Sequence, residues 1–167
     1  MLFRSIVSDK ADLAKAVEGV ARSAFGLTGQ KCSALSRLYV HEAVKKEFTE
    51  RLLARVAQIK IGDPTDQSVF MGPIINERAM KKFDQAVMDA GKEGKVLVGG
   101  TNLRSQSAYS QGWFVPATVV EISHNHRVAR EEHFAPLLAI MGIKNFQEGI
   151  TKANDSEYGL KIGRAHV

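Results

Sequence analysis

The chain has 167 residues, of which 44% are hydrophobic and 25% charged, the balance of one globular domain of ordinary size. This balance excludes a disordered chain, a collagen-like fibre and a coiled-coil rod. The longest apolar run, 136–143, falls well short of the roughly 20 residues that a bilayer requires, so we expect no membrane partner. A single cysteine, Cys32, excludes an internal disulfide and is typical of a reducing, cytoplasmic compartment.

The net charge of +5 raises the question of a nucleic-acid partner. Three of the 23 basic residues, Arg4, Lys161 and Arg164, lie near the two ends, and the rest of the chain holds 20 basic against 18 acidic residues. The segment 91–94 matches the GxxG pattern of RNA-clamping loops, but a loop that closes a helix explains it better. Because the interior is nearly neutral, we expect no nucleic-acid partner.

Apolar residues at helical spacing alternate along the chain with short apolar runs bounded by glycine and proline. In chain order, the predicted elements are a strand end at 5–7, a helix at 13–24, a strand at 35–40, a helix at 44–59, a helix opened by Asn76 and Glu77 and closed by 91–94, a strand at 95–98, an extended segment at 114–121, a strand at 136–143 and a helix at 146–153. Helices alternating with apolar strands predict a layered α/β domain with a mainly parallel sheet.

Cys32 is the first candidate for chemistry. One interpretation is a small buried hydrophobe, the commonest role of an isolated cysteine. The other is a nucleophile, because a polar, glycine-flanked segment, 29–33, surrounds it. Such a loop would expose the sulfur and present backbone N–H groups to an oxyanion, and the Lys31 cation would favour the thiolate that attacks carbonyl carbons. The residues alone leave both interpretations open.

The second candidate is the segment 130–136, Arg-Glu-Glu-His-Phe-Ala-Pro. A charged surface turn before a buried strand explains it without any function. Alternatively, Glu132 binds a ribose hydroxyl and Phe134 packs on a flat ring. Spacing does not decide between the two.

His124 and His126 form an H-x-H pair, a weak signal for a metal site. Metal binding needs further ligands, and no cluster of cysteines or carboxylates supplies them nearby in the sequence. We therefore expect no metal centre and interpret both histidines as solvated loop residues. A cysteine hydrolase would need a base histidine poised on Cys32, and none of the five histidines lies in a recognisable protease context.

Five segments between Ile6 and Leu160 resemble, in matching order, motifs of the catalytic domain of the NAD(P)-dependent aldehyde dehydrogenase superfamily. They are the nucleophile motif at 23–34, the Gly-Pro loop at 71–75, the segment 112–118, the E-x-F-G-P counterpart at 132–136 and the A-N-D-x-x-Y-G-L counterpart at 153–160. The resemblance implies a layered αβα catalytic domain with a mainly parallel sheet, here incomplete at both ends.

Gly-Gln-Lys-Cys-Ser-Ala at 29–34 is similar to the corresponding segment of the 1-pyrroline-5-carboxylate (L-glutamate γ-semialdehyde) dehydrogenases. The resemblance implies oxidation of an aldehyde to the carboxylate with NAD or NADP, through a thiohemiacetal and a thioester on Cys32. It assigns the substrate's α-carboxylate to Ser33, the nicotinamide ribose to Glu132 and the nicotinamide ring to Phe134. Another aldehyde dehydrogenase subfamily stays an alternative.

Several features depart from the family's pattern. His133 and Ala135 stand where the family usually has an aliphatic residue and a glycine. No segment resembles the E-L-G-G-K motif of the general-base glutamate, and most of the dinucleotide-binding domain is also without a counterpart. We therefore expect residues 6–160 to be part of a longer, homo-oligomeric enzyme, and the chain alone to be marginally stable and to show negligible NAD-dependent turnover.

Both ends of the chain resemble translated sequencing adapter. Residues 162–167 correspond to the translation of a common short-read adapter, and residues 1–5 to the reverse complement of its start. We therefore predict that 1–5 and 161–167 are non-native, adapter-derived ends. A genomic clone that continues in frame through both junctions with these same residues would contradict this prediction.

Overall fold

The computed structural model describes residues 3–158, and within that range the chain forms five strands and five α-helices. In chain order they are β1 (Phe3–Val7), α1 (Leu13–Phe25), β2 (Leu35–His41), α2 (Glu42–Val56), α3 (Glu77–Glu93), β3 (Lys95–Val98), β4 (Thr118–Glu121), α4 (Arg127–Arg130), β5 (Leu137–Ile143) and α5 (Phe146–Asn154).

The strands form one open sheet in the order β1-β2-β5-β4-β3. The pairs β1–β2, β2–β5 and β5–β4 are parallel, and β3 joins the β4 edge antiparallel. This arrangement confirms the predicted α/β class with a mainly parallel sheet. It also makes β2 and β5 neighbours at the centre of the sheet, although about 95 residues of sequence lie between the end of β2 and the start of β5.

Helices cover both faces of the sheet, as a parallel sheet requires. One face carries α1 and α2, whose apolar residues pack on the Leu38, Val40, Leu138 and Ile140 side chains. The other face carries α3, α4 and α5 over Tyr39, Ala139 and Met141 and their neighbours. Successive residues of β2 and β5 therefore point to opposite cores, which fixes the register of the two strands that carry the candidate site.

Local capping explains where the helices begin. The Asp12 carboxylate accepts the N–H groups of Ala14 and Lys15 at 3.1 and 3.2 Å, and the Asn76 side chain accepts the Ala79 N–H at 3.0 Å. Each side chain satisfies a donor that the first helical turn leaves without a partner. The structure confirms the predicted start of α1 at Leu13 and of α3 at Glu77.

One predicted boundary is wrong. The second helix ends at Val56 rather than at residue 59, because the chain after it turns to form a parallel bridge between Ile61 and Met71. Within the segment predicted to be extended, 114–121, the strand itself spans Thr118–Glu121. Pro116, which has no N–H to donate to a neighbouring strand, precedes this start.

The predicted adapter-derived ends fall partly inside the described residues. Residues 3–5 form the first part of β1 and pair with β2 through their backbone; such pairing does not depend on the origin of the side chains. Residues 1–2 and 161–167 lie outside the described range. Among the helices of residues 3–158, none has the length and apolar character needed to traverse a lipid bilayer.

Candidate active site

The candidate site lies where the chain enters two neighbouring parallel strands. The segment around Cys32 leads into β2 and the segment around Glu132 leads into β5, and Arg37 of β2 pairs with Ala139 of β5. Because β2 and β5 are parallel neighbours, the segments that lead into them lie side by side at the N-terminal ends of the two strands. The residues that the sequence singled out separately therefore belong to one location.

Cys32 sits on a tight turn at the protein surface. The Ala34 N–H donates to the Lys31 carbonyl at 3.0 Å, which places Cys32 and Ser33 at the centre of the turn. Both residues are exposed, so the interpretation of Cys32 as a buried hydrophobe is wrong. Across residues 3–158, no group accepts a hydrogen bond from the backbone N–H of either residue.

The backbone just before this turn is strained. Leu27 and Thr28 have φ angles of 53° and 56°, and Gly29 follows at 68°. The left-handed conformation costs a non-glycine residue about 1–2 kcal/mol, so other contacts must hold this run in place. Such strain is common beside functional groups, where it orients a side chain.

Gly29 joins the Cys32 segment to the Glu132 segment. A Cβ atom built on Gly29 would lie 2.4 Å from the Ala135 carbonyl oxygen, so only glycine permits this approach of the two backbones. A cavity of about 20 Å³, room for a single water molecule, is lined by Lys31 and Ala34 from one segment and by Glu132 from the other. The two segments are thus in direct contact.

Glu132 and Phe134 lie on the turn that precedes β5. Phe134 has a φ of 54°, which makes it the third strained non-glycine residue at this location after Leu27 and Thr28, and the residue is 46% exposed. Glu132 is half-buried, and its carbonyl oxygen accepts a hydrogen bond from the Lys82 ammonium of α3. A half-buried carboxylate and an exposed aromatic residue thus lie on one turn, two positions apart.

Residues 72–75 of the predicted Gly-Pro loop, 71–75, also reach this location. The Thr28 hydroxyl donates to the Gly72 carbonyl at 3.2 Å, and the Gln30 amide donates to the Pro73 carbonyl at 3.3 Å. The Gln30 side-chain oxygen accepts the Ile75 N–H at 2.8 Å. Three of the segments that carry the family resemblance therefore meet around Cys32.

His133 lies between Glu132 and Phe134 in the sequence and is itself buried. It is 9% exposed, and its Nε2 lies 3.1 Å from the Val128 carbonyl oxygen of α4. Its Nδ1 is buried, and no hydrogen-bond partner for it occurs in the part of the chain that the structure describes. Burial lowers the pKa of His133 from 6.5 to about 4, so the ring is neutral at pH 7.

The interpretation of His124 and His126 as solvated loop residues is wrong. His126 is 5% exposed and caps α4 by accepting the Val128 N–H at 3.1 Å. His124 Nδ1 lies 3.0 Å from the Tyr39 hydroxyl and Nε2 lies 2.8 Å from the Asp155 carboxylate. Between residues 3 and 158, no three histidine, cysteine or carboxylate side chains are grouped as metal ligands.

Asp155 belongs to the A-N-D segment and ties it to the Glu132 segment. Arg130 donates to its carboxylate at 2.8 Å, and hydrogen bonds from Arg130 and His124 lower the pKa of Asp155 to about 2. Asp155 is therefore ionised at neutral pH. A fourth motif of the resemblance is thus fixed to the site through side chains.

Three residues that hold the site together were not predicted from the sequence: Thr28, Gln30 and Lys82. Gln30 contacts Pro73 and Ile75, which follow it by 43 and 45 positions in the sequence. Lys82 contacts Glu132, which follows it by 50 positions. A polar residue in a glycine-flanked loop was the only local signal for Gln30. Lys82 lies on a charged helix with no local signal at all.

Comparison with known proteins agrees with this geometry. The model of the aldehyde dehydrogenase family matches residues 4–163. The 1-pyrroline-5-carboxylate dehydrogenase of Geobacillus sp. (strain WCH70) is 38% identical over 156 residues, which cover 93% of this chain and 29% of that protein. The betaine aldehyde dehydrogenase of Brucella ovis is 36% identical over 159 residues, which cover 95% of this chain and 33% of that protein.

Solved structures match as well. The 1-pyrroline-5-carboxylate dehydrogenase from Thermus with bound NAD has a TM-score of 0.88 at 34% identity, over 96% of this chain and 30% of that one. The Staphylococcus aureus betaine aldehyde dehydrogenase in complex with NAD⁺, an H448F/P449M double mutant in that protein's own numbering, has a TM-score of 0.90 at 32% identity, over 95% of this chain and 32% of that one.

These comparisons confirm the predicted fold, and they also give its extent. The chain spans about a third of the length of the relatives that it matches. Since the family model matches nearly the whole chain, and three motif segments meet around an exposed cysteine, the chain belongs to the aldehyde dehydrogenase family.

Proposed function

We propose that Cys32 is the nucleophile of an NAD(P)-dependent aldehyde dehydrogenase, of which this chain holds part of the catalytic domain. The observation that carries the proposal is the exposed Cys32 turn, with two backbone N–H groups free of acceptors within residues 3–158, beside the Glu132–Phe134 turn. A nucleophile, oxyanion donors and a platform for a flat ring are the parts that this chemistry needs.

The proposed reaction begins when the Cys32 sulfur attacks the aldehyde carbon and the carbonyl oxygen becomes an oxyanion. The N–H groups of the turn donate to that oxyanion. A nicotinamide cofactor held beside this turn would supply the acceptor for the hydride that leaves the former aldehyde carbon. Cys32 then holds the acyl group as a thioester, and water releases the carboxylate and restores the thiol.

Glu132 and Phe134 would hold the cofactor. The Glu132 carboxylate binds a ribose hydroxyl, and the Phe134 ring supports the nicotinamide. Lys82 fixes the carbonyl of Glu132 from α3, so the carboxylate is carried on a restrained backbone. NAD-bound structures among the similar proteins support NAD as the cofactor, with NADP as the alternative.

The substrate that we propose is L-glutamate γ-semialdehyde, with Ser33 binding its α-carboxylate. The relatives named 1-pyrroline-5-carboxylate dehydrogenase support this assignment, and the relatives named betaine aldehyde dehydrogenase make betaine aldehyde the alternative. The activity would belong to proline breakdown in the cytoplasm, which agrees with a single unpaired cysteine. We expect the longer parent protein to be a homo-oligomer without nucleic-acid or membrane partners.

The first chemical step can be tested on this chain alone. With ¹³C-carbonyl-labelled semialdehyde, NMR should show a tetrahedral adduct that is lost in the Cys32→Ser variant, since Cys32 is the only cysteine. The Ser33→Ala variant should form the adduct only at higher semialdehyde concentration, while its adduct with betaine aldehyde should be unchanged. An adduct that survives Cys32→Ser, or no adduct at any concentration, would contradict the proposal.

A further inference from the structure

Gln30 uses both ends of its side chain to hold a distant loop. Its amide NH₂ donates to the Pro73 carbonyl, and its carbonyl oxygen accepts the Ile75 N–H at 2.8 Å. Its backbone N–H also donates to the Leu27 carbonyl at 3.0 Å, within the strained run. Gln30 therefore connects the loop 72–75 to the segment that ends in Cys32, two residues further on.

The strained run before Cys32 needs such external contacts. Leu27 and Thr28 would return to the ordinary right-handed region if nothing held them. The contacts that oppose this return are the two side-chain hydrogen bonds of Gln30 and the single one of Thr28, all of which end on the loop 72–75. A change of the backbone angles at these residues would move the turn that carries the sulfur.

We propose that Gln30 is the positioning residue of the Cys32 turn, which it fixes by joining that turn to the loop 72–75. The inference rests on the proposed function only in treating Cys32 as the nucleophile. Glutamine suits this role because its amide offers a donor and an acceptor at the same time. A glutamate would keep the acceptor for Ile75 but place a carboxylate oxygen against the Pro73 carbonyl oxygen.

The test measures the reactivity of the Cys32 thiol and the hydrogen exchange of the Ile75 amide in the full chain. Because Cys32 is the only cysteine, the rate constant for alkylation by iodoacetamide reports on this turn alone. The variants are Gln30→Met, which keeps the length of the side chain without its hydrogen bonds, and Gln30→Glu. The control is Gln58→Ala, an exposed glutamine beyond the end of α2.

In the unaltered chain, we expect the Ile75 amide to be protected from exchange. Gln30→Met should lose that protection and change the Cys32 alkylation rate constant, each by at least about fivefold, the factor that loss of one ordinary hydrogen bond implies. Gln30→Glu should retain protection at Ile75 but still change the alkylation rate. Gln58→Ala should change neither quantity.

Two results would overturn the inference. One is an Ile75 amide that exchanges freely in the unaltered chain, a measurement that requires no variant to fold. The other is a folded Gln30→Met chain that loses protection at Ile75 while the alkylation rate stays the same, which would make Gln30 a purely structural residue. Alkylation needs neither aldehyde nor cofactor, so failure of the dehydrogenase proposal would leave this test intact.

Discussion

At Gly29 the backbones of the two halves of the candidate site are in close contact. The Gly29 backbone takes a left-handed φ of 68°, and the Ala135 carbonyl occupies the space that a Cβ would need. Both facts require glycine at this position. The glycine was noted in the sequence as part of a loop, but its contact with Ala135 depends on the pairing of β2 with β5, which no local pattern reveals.

We predict that Gly29→Ala destabilises the chain by about 2–4 kcal/mol, from the left-handed conformation and the contact with the Ala135 carbonyl together. Urea denaturation followed by circular dichroism measures the change. The matched control is Gly19→Ala, since Gly19 lies within α1 with open space around it. That substitution should stabilise the chain by about 0.5–1 kcal/mol. Equal effects of the two would contradict the close approach.

We also predict that His133 makes stability depend on pH. The folded chain keeps the ring neutral down to about pH 4, whereas the unfolded chain binds the proton near pH 6.5. Protonation therefore favours the unfolded state, and the free energy of unfolding should fall as pH drops from about 6.5 to about 4, by a total on the order of 3 kcal/mol. Urea denaturation at a series of pH values measures this fall.

His133→Leu is the control for that pH series, because leucine packs in the same apolar surroundings and cannot bind a proton. The variant should lose most of the dependence between pH 6.5 and 4. Folding lowers the pKa of Asp155 from 3.8 and that of Glu18 from 4.5 to about 2, so these carboxylates begin to reduce stability only below about pH 4.5, and the fall between pH 6.5 and 4.5 isolates His133. A variant with the same pH dependence as the unaltered chain would show that another group is responsible.

The elements themselves were largely predictable from sequence. α1, α3 and α5 follow the 3.6-residue period and begin at capping residues. β2, β3 and β5 are short, mainly apolar runs, with glycine on both sides of β3 and proline directly before β5. α4 was missed because four residues show no period. The interpretation of His124 failed for another reason: its partners, Tyr39 and Asp155, are 85 and 31 positions away in the sequence.

The polar network at Tyr39 joins β2 to α5 beneath the A-N-D segment. The fully buried Tyr39 hydroxyl donates to the Lys152 carbonyl at 3.2 Å and accepts from Arg37 at 3.3 Å. Arg37 is itself 1% exposed, and burial lowers the pKa of its guanidinium. Removing the hydroxyl would leave this buried cation with one acceptor fewer.

We therefore predict that Tyr39→Phe lowers the free energy of unfolding by about 2–4 kcal/mol, because buried donors and an acceptor lose their partner. Thermal and urea denaturation both measure the loss. Tyr109→Phe is the comparison, since that hydroxyl makes a single hydrogen bond, to the Ile61 carbonyl, at a partly exposed position. It should cost no more than about 1.5 kcal/mol. A smaller effect at Tyr39 than at Tyr109 would contradict the network.

At the scale of the whole molecule, the site lies at the N-terminal ends of the central strands β2 and β5. Three large apolar side chains, Leu27, Ile75 and Phe134, are 72%, 77% and 46% exposed on the segments that meet at Cys32. The chain spans about a third of the length of its relatives, and in a protein of that full length we would expect other parts to cover these side chains. For the chain alone we predict no measurable NADH formation from semialdehyde and NAD, followed by absorbance, and turnover at an ordinary enzyme rate would contradict this.

The central claim is that the Cys32 turn and the Glu132–Phe134 turn form one site, and a spin label tests it most directly. Cys32 is the only cysteine, so a nitroxide attaches there without any substitution. Paramagnetic broadening of NMR signals, compared with a diamagnetic label on the same thiol, should be strong at the amides of Phe134, Ala135 and Ile75. Unbroadened signals at Phe134 and Ala135 in the folded chain would show that the two turns lie far apart, and this would contradict the account.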